Sequence, residues 1–448
     1  MVVDLCIRDV KIPTRSGLVG CGLAIDEGKV HRLAKAPNLP KASEYVKGKG
    51  KLALPGLIDV HVHCRDQGLA HKEDFFTCTR AAAMGGFTTI LDMPNNEPPT
   101  NNGLRLRERA ATARRKIVTN VGFHCTFPES EDGVKGLCEE GAIGFKIYLV
   151  KPITAIDVDD DDALRGALSW AAVYGRTVSI HAESREIVEK LTADLRGRGR
   201  NDLEAFSLAH PPEAEVGAVE RVLSLAKEVG ARIHFCHVTV GRAISMIDRA
   251  KRSGLSVTSE VTPHHLLLTR EDMVRIGTTA LVDPPLREPA DRDRLMSATA
   301  AGTVDVVASD HAPHMIDEKI GQRIWDVATG FPGLETELPL LLTQVNGGAL
   351  TVQRLVHLLS ENPARIFGLA GKGGLREGYD ADVTIVDPKE EFKIDPSAFH
   401  SKAKYSPFEG VKVKGRPVRV LVRGRTVMED GEIVAEPGSG SIVAPRIS

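Results

Sequence analysis

Eight short apolar runs, separated by segments with helical periodicity, most constrain the fold of this 448-residue chain. Such runs are typical of strands buried on both faces, and their alternation with helices predicts a closed parallel (β/α)8 barrel. An open doubly wound sheet is disfavoured because no glycine-rich dinucleotide motif follows the first run. The runs are GLIDVHVH, FTTILDMP, VGFHCTF, AIGFKIYLV, RTVSIHAE, RIHFCHV, LSVTSEVTPHH and VDVVASDH.

The two ends of the chain have a different pattern from the middle. Both alternate apolar and polar residues between glycine-rich turns, which is typical of exposed β-strands. We expect the ends to join into one small β-sandwich domain beside the barrel. The predicted organisation is therefore sandwich over 1–53, barrel over 54–370 and sandwich again over 371–448.

Composition excludes several classes of function. The chain carries 58 basic and 60 acidic residues, so it has no electrostatic footprint for nucleic acid or an anionic membrane. No apolar run approaches the length of a membrane span, and the first residues do not resemble a signal peptide. Seven scattered cysteines without a CxxC pair predict reduced thiols and a cytoplasmic location. The acidic run over 157–162 is interpreted as a solvated loop.

Polar side chains gather at the ends of the predicted barrel strands. The active site of such a barrel is built at the carboxyl ends of its strands. Several histidines converging there favour a metal site over isolated structural histidines. The strand-end residues are His61, His63, Asn95, Asn96, Lys146, His181, His237, His264, His265 and Asp310.

Each of these residues also has an ordinary structural interpretation. His61 and His63 share one face of an extended strand, but such a pair can also lie at a strand-to-loop junction. Lys146 lies inside an apolar run, where an ammonium group must be paired, deprotonated or modified. Asp310 could cap a following helix. His124 and His234 are interpreted as packing residues.

Taken together and in order, the motifs resemble the dihydroorotases, in the cyclic-amidohydrolase branch of the amidohydrolase superfamily. The resemblance covers nearly the whole chain and implies a distorted (β/α)8 barrel with two zinc ions per subunit. The motifs are HVHCRDQG, AAAMGGFTTILDMPNNEPPT, GFKIY, HAES, FCHV, SDHAPH, GFPGLETELPLLLT and LREGYDADVTIVD. The ligands that it implies are His61, His63 and Asp310 for one metal, His181 and His237 for the other, and Lys146, carboxylated on Nζ, between them.

The implied reaction is the reversible cyclisation of N-carbamoyl-L-aspartate to L-dihydroorotate, the third step of pyrimidine biosynthesis. The zinc ions would activate water and polarise the ring carbonyl. Asp310 would carry the proton from water to the departing ring nitrogen.

Substrate recognition rests on other residues. Arg65 lies on the same face as both histidines, and a guanidinium group matches a carboxylate bidentately. The resemblance adds Asn95, His314 and the backbone around Gly330. Many relatives have asparagine where this chain has Asp283, and we expect this aspartate to point away from the pocket or to contribute only its backbone.

The loop after Tyr148 is a candidate lid over the substrate, with Thr154 as a possible contact. Residues in lids vary, so this prediction rests on position alone.

Two other functions stay open at this point. A sister cyclic amidase such as allantoinase or hydantoinase would share the barrel and metals, but its substrates lack the same carboxylate. A metal-free scaffold for aspartate transcarbamoylase would be expected to lose ligands, whereas all six positions are filled here. The ligand set also accepts cobalt or manganese. The resemblance implies a homodimer and allows association with the transcarbamoylase.

Overall fold

The structure, a computed structural model, describes residues 2–14 and 16–446 and contains two β-sheets. One sheet is the barrel, formed by β6–β13, and the other is formed by strands from both ends of the chain. The strands are β1 Val2–Thr14, β2 Gly17–Asp26, β3 Lys29–Ala34, β4 Lys41–Lys47, β5 Leu52–Pro55, β6 Leu57–Val62, β7 Phe87–Asp92, β8 Asn120–Cys125, β9 Gly144–Tyr148, β10 Thr177–His181, β11 Arg232–Phe235, β12 Val257–Val261, β13 Val306–Val307, β14 Val383–Lys393, β15 Lys412–Val422, β16 Arg425–Glu429 and β17 Glu432–Ile433.

The eight barrel strands are parallel, and each pairs with the next in chain order. The barrel closes just beyond β13, where His311 pairs with Val62 of β6. The His63 N–H donates to the His311 carbonyl at 2.9 Å. The predicted barrel is confirmed, and each of the eight apolar runs contains one strand.

Burial explains why the strands are continuous apolar runs rather than alternating ones. Every residue of β6, β7 and β8 is buried, since the helices cover the outer face and side chains fill the inner one. Polar residues within these strands therefore lie in the barrel interior, where each needs a partner.

Helices follow most barrel strands and form the outer layer. None of the described helices is long and apolar enough to cross a membrane. They are α1 Phe75–Gly85, α2 Gly103–Arg114, α3 Glu131–Glu139, α4 Asp161–Val173, α5 Arg185–Gly197, α6 Leu203–Ala209, α7 Pro212–Val229, α8 Gly241–Arg252, α9 Pro263–Leu267, α10 Arg270–Ile276, α11 Pro289–Ala301, α12 Leu334–Asn346, α13 Val352–Val356 and α14 Asn362–Ile366, with a π-helical turn over His357–Glu361.

The acidic run over 157–162 is not entirely the solvated loop that the sequence predicts. Asp160 caps α4 by accepting from the backbone N–H groups of Asp162 and Ala163. Asp161 and Asp162 lie in the first helical turn, where carboxylates interact favourably with the helix dipole. The run therefore starts a helix.

The strands from the chain ends form one nine-stranded sheet, which confirms that the two ends join. The joint is the antiparallel pairing of β5 with β14, in which Pro55 lies opposite Val383. The domain boundaries 1–53, 54–370 and 371–448 stay predictions.

A buried ion pair supports the loop after β6. Arg109 of α2 donates through Nε to Asp92 at the end of β7 (2.8 Å) and also binds the carbonyl of Asp66. Asp92 in turn accepts from the backbone N–H of Cys64 at 2.9 Å. Since both ends of this loop segment are held, the position of Arg65 between them is fixed.

Candidate metal centre and active site

A cavity of about 350 Å³ opens at the carboxyl ends of the barrel strands. Nine of the predicted ligands and substrate contacts line it, which brings together groups from five strand ends and two later loops, whereas Lys146, Asn96, His264 and His265 are not on its wall. The predicted residues on its wall are His61, His63, Arg65, Asn95, His181, His237, Asp310, His314 and Gly330.

The first three predicted ligands are within reach of one ion. His61, His63 and Asp310 each offer a ligand atom, and these atoms lie within 4.8 Å of one another. One Asp310 oxygen lies 3.2 Å from Nε2 of His63 and 3.4 Å from Nε2 of His61. Imidazole and carboxylate groups at this spacing fit a divalent metal ion.

The other two histidines lie beside this group. The rings of His181 and His237 have centroids 4.6 Å apart, and the centroids of His61 and His237 are 5.2 Å apart. Nδ1 of His237 is buried and has no hydrogen-bond partner among the described residues. An unpartnered ring nitrogen in such a place fits a metal ligand, because a buried polar atom otherwise costs free energy.

Lys146 lies below the cavity wall and is completely buried. Its Nζ is 3.0 Å from Sγ of Cys236 and 4.7 Å from the centre of the Tyr148 ring. No carboxylate oxygen of the described chain lies within 4.0 Å of this ammonium group, so of the alternatives that the sequence left open, a plain ion pair is excluded. A buried cation among histidines has an unfavourable environment unless it is deprotonated or modified.

Acidic and amide side chains hold the histidine rings in place. Glu260 of β12 pairs with Nδ1 of His61 at 2.5 Å and accepts from the backbone N–H of His237 at 3.0 Å. Glu183 pairs with Nε2 of His181 at 2.8 Å. Each bond fixes the ring and leaves its other nitrogen free for a metal, a common arrangement at metal sites.

Asn95 orients His63 in the same way. Its Oδ1 lies 2.6 Å from Nδ1 of His63, so His63 has Nε2 left for a metal. Because Oδ1 is used in this bond, the Nδ2 amide group of Asn95 is the part that can donate to a ligand in the cavity.

Charges around the cavity shift the pKa values of its histidines in different directions. Burial lowers the pKa of His61, but Glu260 and Asp310 outweigh it and raise the pKa to about 10. Burial lowers the pKa of His63 to about 4. Burial together with the neighbouring His181 and Lys146 holds the pKa of His237 well below its usual value. The lowered pKa values keep His63 and His237 neutral near pH 7, and neutral imidazoles are the form that binds metals.

A second group on the cavity wall is suited to an anion. Arg65 is 7% exposed, and its NH2 lies 3.2 Å from Nε2 of His314. Lys72 lies 3.3 Å from the other ring nitrogen of His314 and pairs with Glu318. Burial, with Arg65 and Lys72, lowers the pKa of His314 to about 2, so its ring is neutral.

The Arg65 guanidinium itself has no carboxylate partner. No carboxylate oxygen lies within 4.0 Å of it in the part of the chain that the structure describes, and its Nε has no hydrogen-bond partner. We name Arg65, His314 and Asn95 the anion pocket; Lys72 lies behind His314 and does not line the cavity. A buried guanidinium without a counter-charge is costly, and an anionic ligand would supply that charge.

Three residues of the cavity have strained backbones. The backbone φ angles of Arg65, His237 and Asp310 are 61°, 32° and 45°, a region that residues other than glycine rarely adopt. Such conformations cost about 1–3 kcal/mol each and concentrate at functional sites. Their positions agree with the predicted roles of these residues.

The predictions for two other residues are wrong. Asp283 does not point away from the pocket: its side chain lines the cavity and pairs with Lys151 at 3.2 Å. Thr154 does not line the cavity but donates to the carbonyl of Phe127. From the loop after Tyr148, Val150, Lys151 and Ile153 line the cavity instead. The role of this loop as a lid stays a prediction.

Sequence reasoning missed the acidic residues that support the histidines. Glu183 lies two residues after His181, and Glu260 is the penultimate residue of β12, so an acid near a strand end was the available signal. His234 was interpreted as a packing residue, yet its Nε2 bonds to Glu260 at 3.0 Å. His264 and His265 are buried but do not line the cavity.

Comparison with known proteins places this site in a family. A model described as the amidohydrolase family matches residues 52–427. The dihydroorotase of Methanothermobacter thermautotrophicus is 40% identical over 416 residues, covering 93% of each chain. The allantoinase of Rubrobacter xylanophilus is 36% identical over 450 residues, covering 99% of this chain and 98% of that one.

Solved structures agree with this placement. The L-hydantoinase of Arthrobacter aurescens superposes with a TM-score of 0.96 at 32% sequence identity, covering 99% of this chain and all of that one. The chain belongs to the amidohydrolase family and is a cyclic amidohydrolase. The proteins it is similar to include dihydroorotases, an allantoinase and hydantoinases, so the ring on which it acts depends on the cavity itself.

Replacing Glu260 by glutamine tests the support of the histidines. The amide keeps the size but removes the charge and one acceptor, so we expect metal affinity to fall about 10–100-fold. The measurement is a competition titration with a metal-sensitive dye on metal-stripped protein. Glu228→Gln, which changes an exposed glutamate paired with Arg165, is the matched control. Equal affinities for the two variants would contradict the role of Glu260.

Proposed function

We propose that the protein is a zinc-dependent dihydroorotase, which interconverts N-carbamoyl-L-aspartate and L-dihydroorotate in pyrimidine biosynthesis. The observation that carries this proposal is the buried guanidinium of Arg65, which has no carboxylate partner and lies beside the candidate metal ligands. Dihydroorotate brings a ring carboxylate to this position. Similarity to the Methanothermobacter dihydroorotase supports the same choice.

The anion pocket discriminates between rings of similar size. Hydantoin and allantoin carry no carboxylate, so they would leave the Arg65 charge buried and uncompensated. A site built to bind a charged group rejects analogues that lack it, because its own groups then stay unpaired. The Nδ2 group of Asn95 adds a neutral donor at the same position, and His314 holds the Arg65 guanidinium beside it.

The residues present fit two zinc ions. His61, His63 and Asp310 would hold one ion, His181 and His237 the other, and a carboxylated Lys146 would bind both. Carboxylation turns the buried ammonium into an anion, which removes the unfavourable charge described above. When bound, the metals supply Lewis-acid polarisation of the ring carbonyl and lower the pKa of water.

The chain itself would contribute binding and proton transfer. Arg65 binds the ring carboxylate and, with His314, fixes the orientation of the ring over the histidine cluster. Asp310 accepts a proton from the attacking water and delivers it to the ring nitrogen as the C–N bond breaks. The reverse order closes N-carbamoyl-L-aspartate into the ring with loss of water.

Isotope labelling tests the carboxylation of Lys146. Protein reconstituted with zinc and ¹³C-bicarbonate should show a carbamate carbonyl resonance that is absent from Lys146→Met. The same variant should bind fewer zinc ions, because a shared anionic ligand is missing. Lys151→Met, which changes another lysine of the site, should keep the resonance. A wild-type spectrum without this resonance would exclude the modification.

Substitution of Arg65 tests the substrate. Zinc-loaded wild-type protein should hydrolyse L-dihydroorotate in preference to hydantoin and allantoin. In Arg65→Met, kcat/KM for dihydroorotate should fall by about 10²–10³, as expected when one partner of a buried charge pair is removed. Zinc content should not change, because Arg65 is not among the ligands.

The control is Arg323→Met, which changes an arginine whose side chain is 77% exposed. Preferential hydrolysis of hydantoin or allantoin by the wild-type protein would reject dihydroorotase in favour of those enzymes. A zinc-loaded protein that hydrolyses none of the three rings would favour the scaffold interpretation.

Location and assembly remain part of the proposal. The seven cysteines are free thiols, which supports a reducing compartment such as the cytoplasm. Homodimerisation and association with an aspartate transcarbamoylase stay predictions.

A further inference from the structure

Lys319 is a second buried lysine near the cavity, and none of the proposed chemistry uses it. Its side chain is completely buried, and no carboxylate of the described chain lies within 4.0 Å of its Nζ. Its neighbour Glu318 pairs with Lys72 instead. Nζ donates to three backbone carbonyls, those of Leu281 at 3.0 Å, Ala328 at 2.7 Å and Gly330 at 2.8 Å.

Burying this ammonium group is unfavourable for the stability of the fold. Burial lowers the pKa of Lys319 to about 7, which shows how poorly the site solvates the ammonium group. Carbonyl dipoles compensate a buried charge less well than a carboxylate does, and an apolar side chain of similar length would avoid the cost. Stability therefore does not explain this lysine.

The three carbonyls belong to two segments that form one wall of the cavity. Leu281 precedes the lining residues Val282 and Asp283, and the second segment, 328–330, lines the cavity throughout. The Gly330 N–H donates to the Leu281 carbonyl at 2.9 Å, which joins the two segments directly. Lys319 binds both segments from behind.

The hydrogen bonds to Lys319 orient the backbone groups of this cavity wall. The carbonyls of Ala328 and Gly330 each direct a lone pair at Nζ, behind the wall. Between them, the backbone N–H and C=O of Thr329 make no hydrogen bond to the described chain, and Thr329 lines the cavity. An adjacent donor and acceptor complement the –CO–NH– edge of a cyclic amide.

Close packing keeps this segment in one shape. Gly330 has φ +117°, and a Cβ there would lie 2.6 Å from Cβ and 2.7 Å from the carbonyl oxygen of Ala312. The segment thus packs against the strand end that carries Asp310, while Lys319 holds its carbonyls from the other side.

We infer that Lys319 is a positioning residue, which holds the 281–283 and 328–330 segments so that the Thr329 backbone faces the amide edge of the ring. The identity of the ring in this inference rests on the proposed function. The hydrogen bonds of Lys319 do not depend on it. Lys319 acts through the backbone and does not touch the substrate.

Two measurements on Lys319→Met test the inference. In the ligand-free protein, hydrogen exchange should rise at the Gly330 amide but stay unchanged at the His63 amide, which bonds to His311. In the zinc-loaded enzyme, KM for dihydroorotate should rise about tenfold or more while kcat changes less than about threefold, as for a loss of ring binding alone. Zinc content should equal that of the wild type.

Lys251→Met is the control, because Nζ of Lys251 also donates to a backbone carbonyl, that of Thr303, which belongs to a segment outside the active-site cavity; Lys251 also pairs with Asp305. It should leave both readouts unchanged. If Lys319→Met does not fold, Lys319→Gln, which keeps one donor group, should show the same changes to a smaller extent.

The inference is overturned by unchanged Gly330 exchange, by an unchanged KM, or by a loss of kcat and zinc together, which would indicate general disruption. If the wild-type protein hydrolyses a different ring, the proposed function fails, and KM for that ring replaces KM for dihydroorotate. If it hydrolyses none of the rings, Gly330 exchange alone decides whether Lys319 holds the wall.

Discussion

Closure of the barrel between its first and last strands is the constraint on which the rest of the site depends. The His63 N–H bonds to the His311 carbonyl, and the Asp59 carboxylate accepts from the backbone N–H groups of His61 and Ser309. These bonds bring Asp310 beside two histidines that lie far from it in sequence. Glu260 then fixes His61 and the backbone of His237 from the neighbouring part of the barrel. The positions of these side chains are consequences of the fold.

Buried cations without carboxylate partners are the second feature of this cavity. Similarity to an L-hydantoinase at a TM-score of 0.96 establishes the fold of the chain but not the ring on which it acts. A barrel with these histidines suits neutral and anionic rings alike. Three buried cations, Arg65, Lys146 and Lys319, have no carboxylate partner in the described chain. Backbone carbonyls surround Lys319. The solutions that we propose for the other two are a substrate carboxylate for Arg65 and carboxylation for Lys146.

Local pattern was enough to predict much of this structure. Strands buried on both faces appear in the sequence as apolar runs, and a barrel places their carboxyl ends together. The gathering of the histidines and Asp310 at one end of the barrel could therefore be predicted from the pattern, whereas their roles as metal ligands come from the family resemblance and stay predictions. Asp283 and Lys319 could not, because both lie in irregular segments whose path is set by tertiary contacts. An aspartate before two prolines carries no signal that its side chain turns into a cavity and meets Lys151. Lys319 lies in the polar segment DEKIGQ, which is typical of an exposed loop, and it is buried only by tertiary contacts.

Ligand binding tests the central claim, that the cavity recognises a ring through its carboxylate, most directly. Calorimetric titration of the zinc-loaded protein with orotate and with uracil compares the same ring with and without that group, without turnover. The account predicts that orotate binds at least about 100-fold more tightly than uracil and that Arg65→Met removes most of the difference. Equal affinity for the two rings, or a preference for orotate that persists in Arg65→Met, would contradict it.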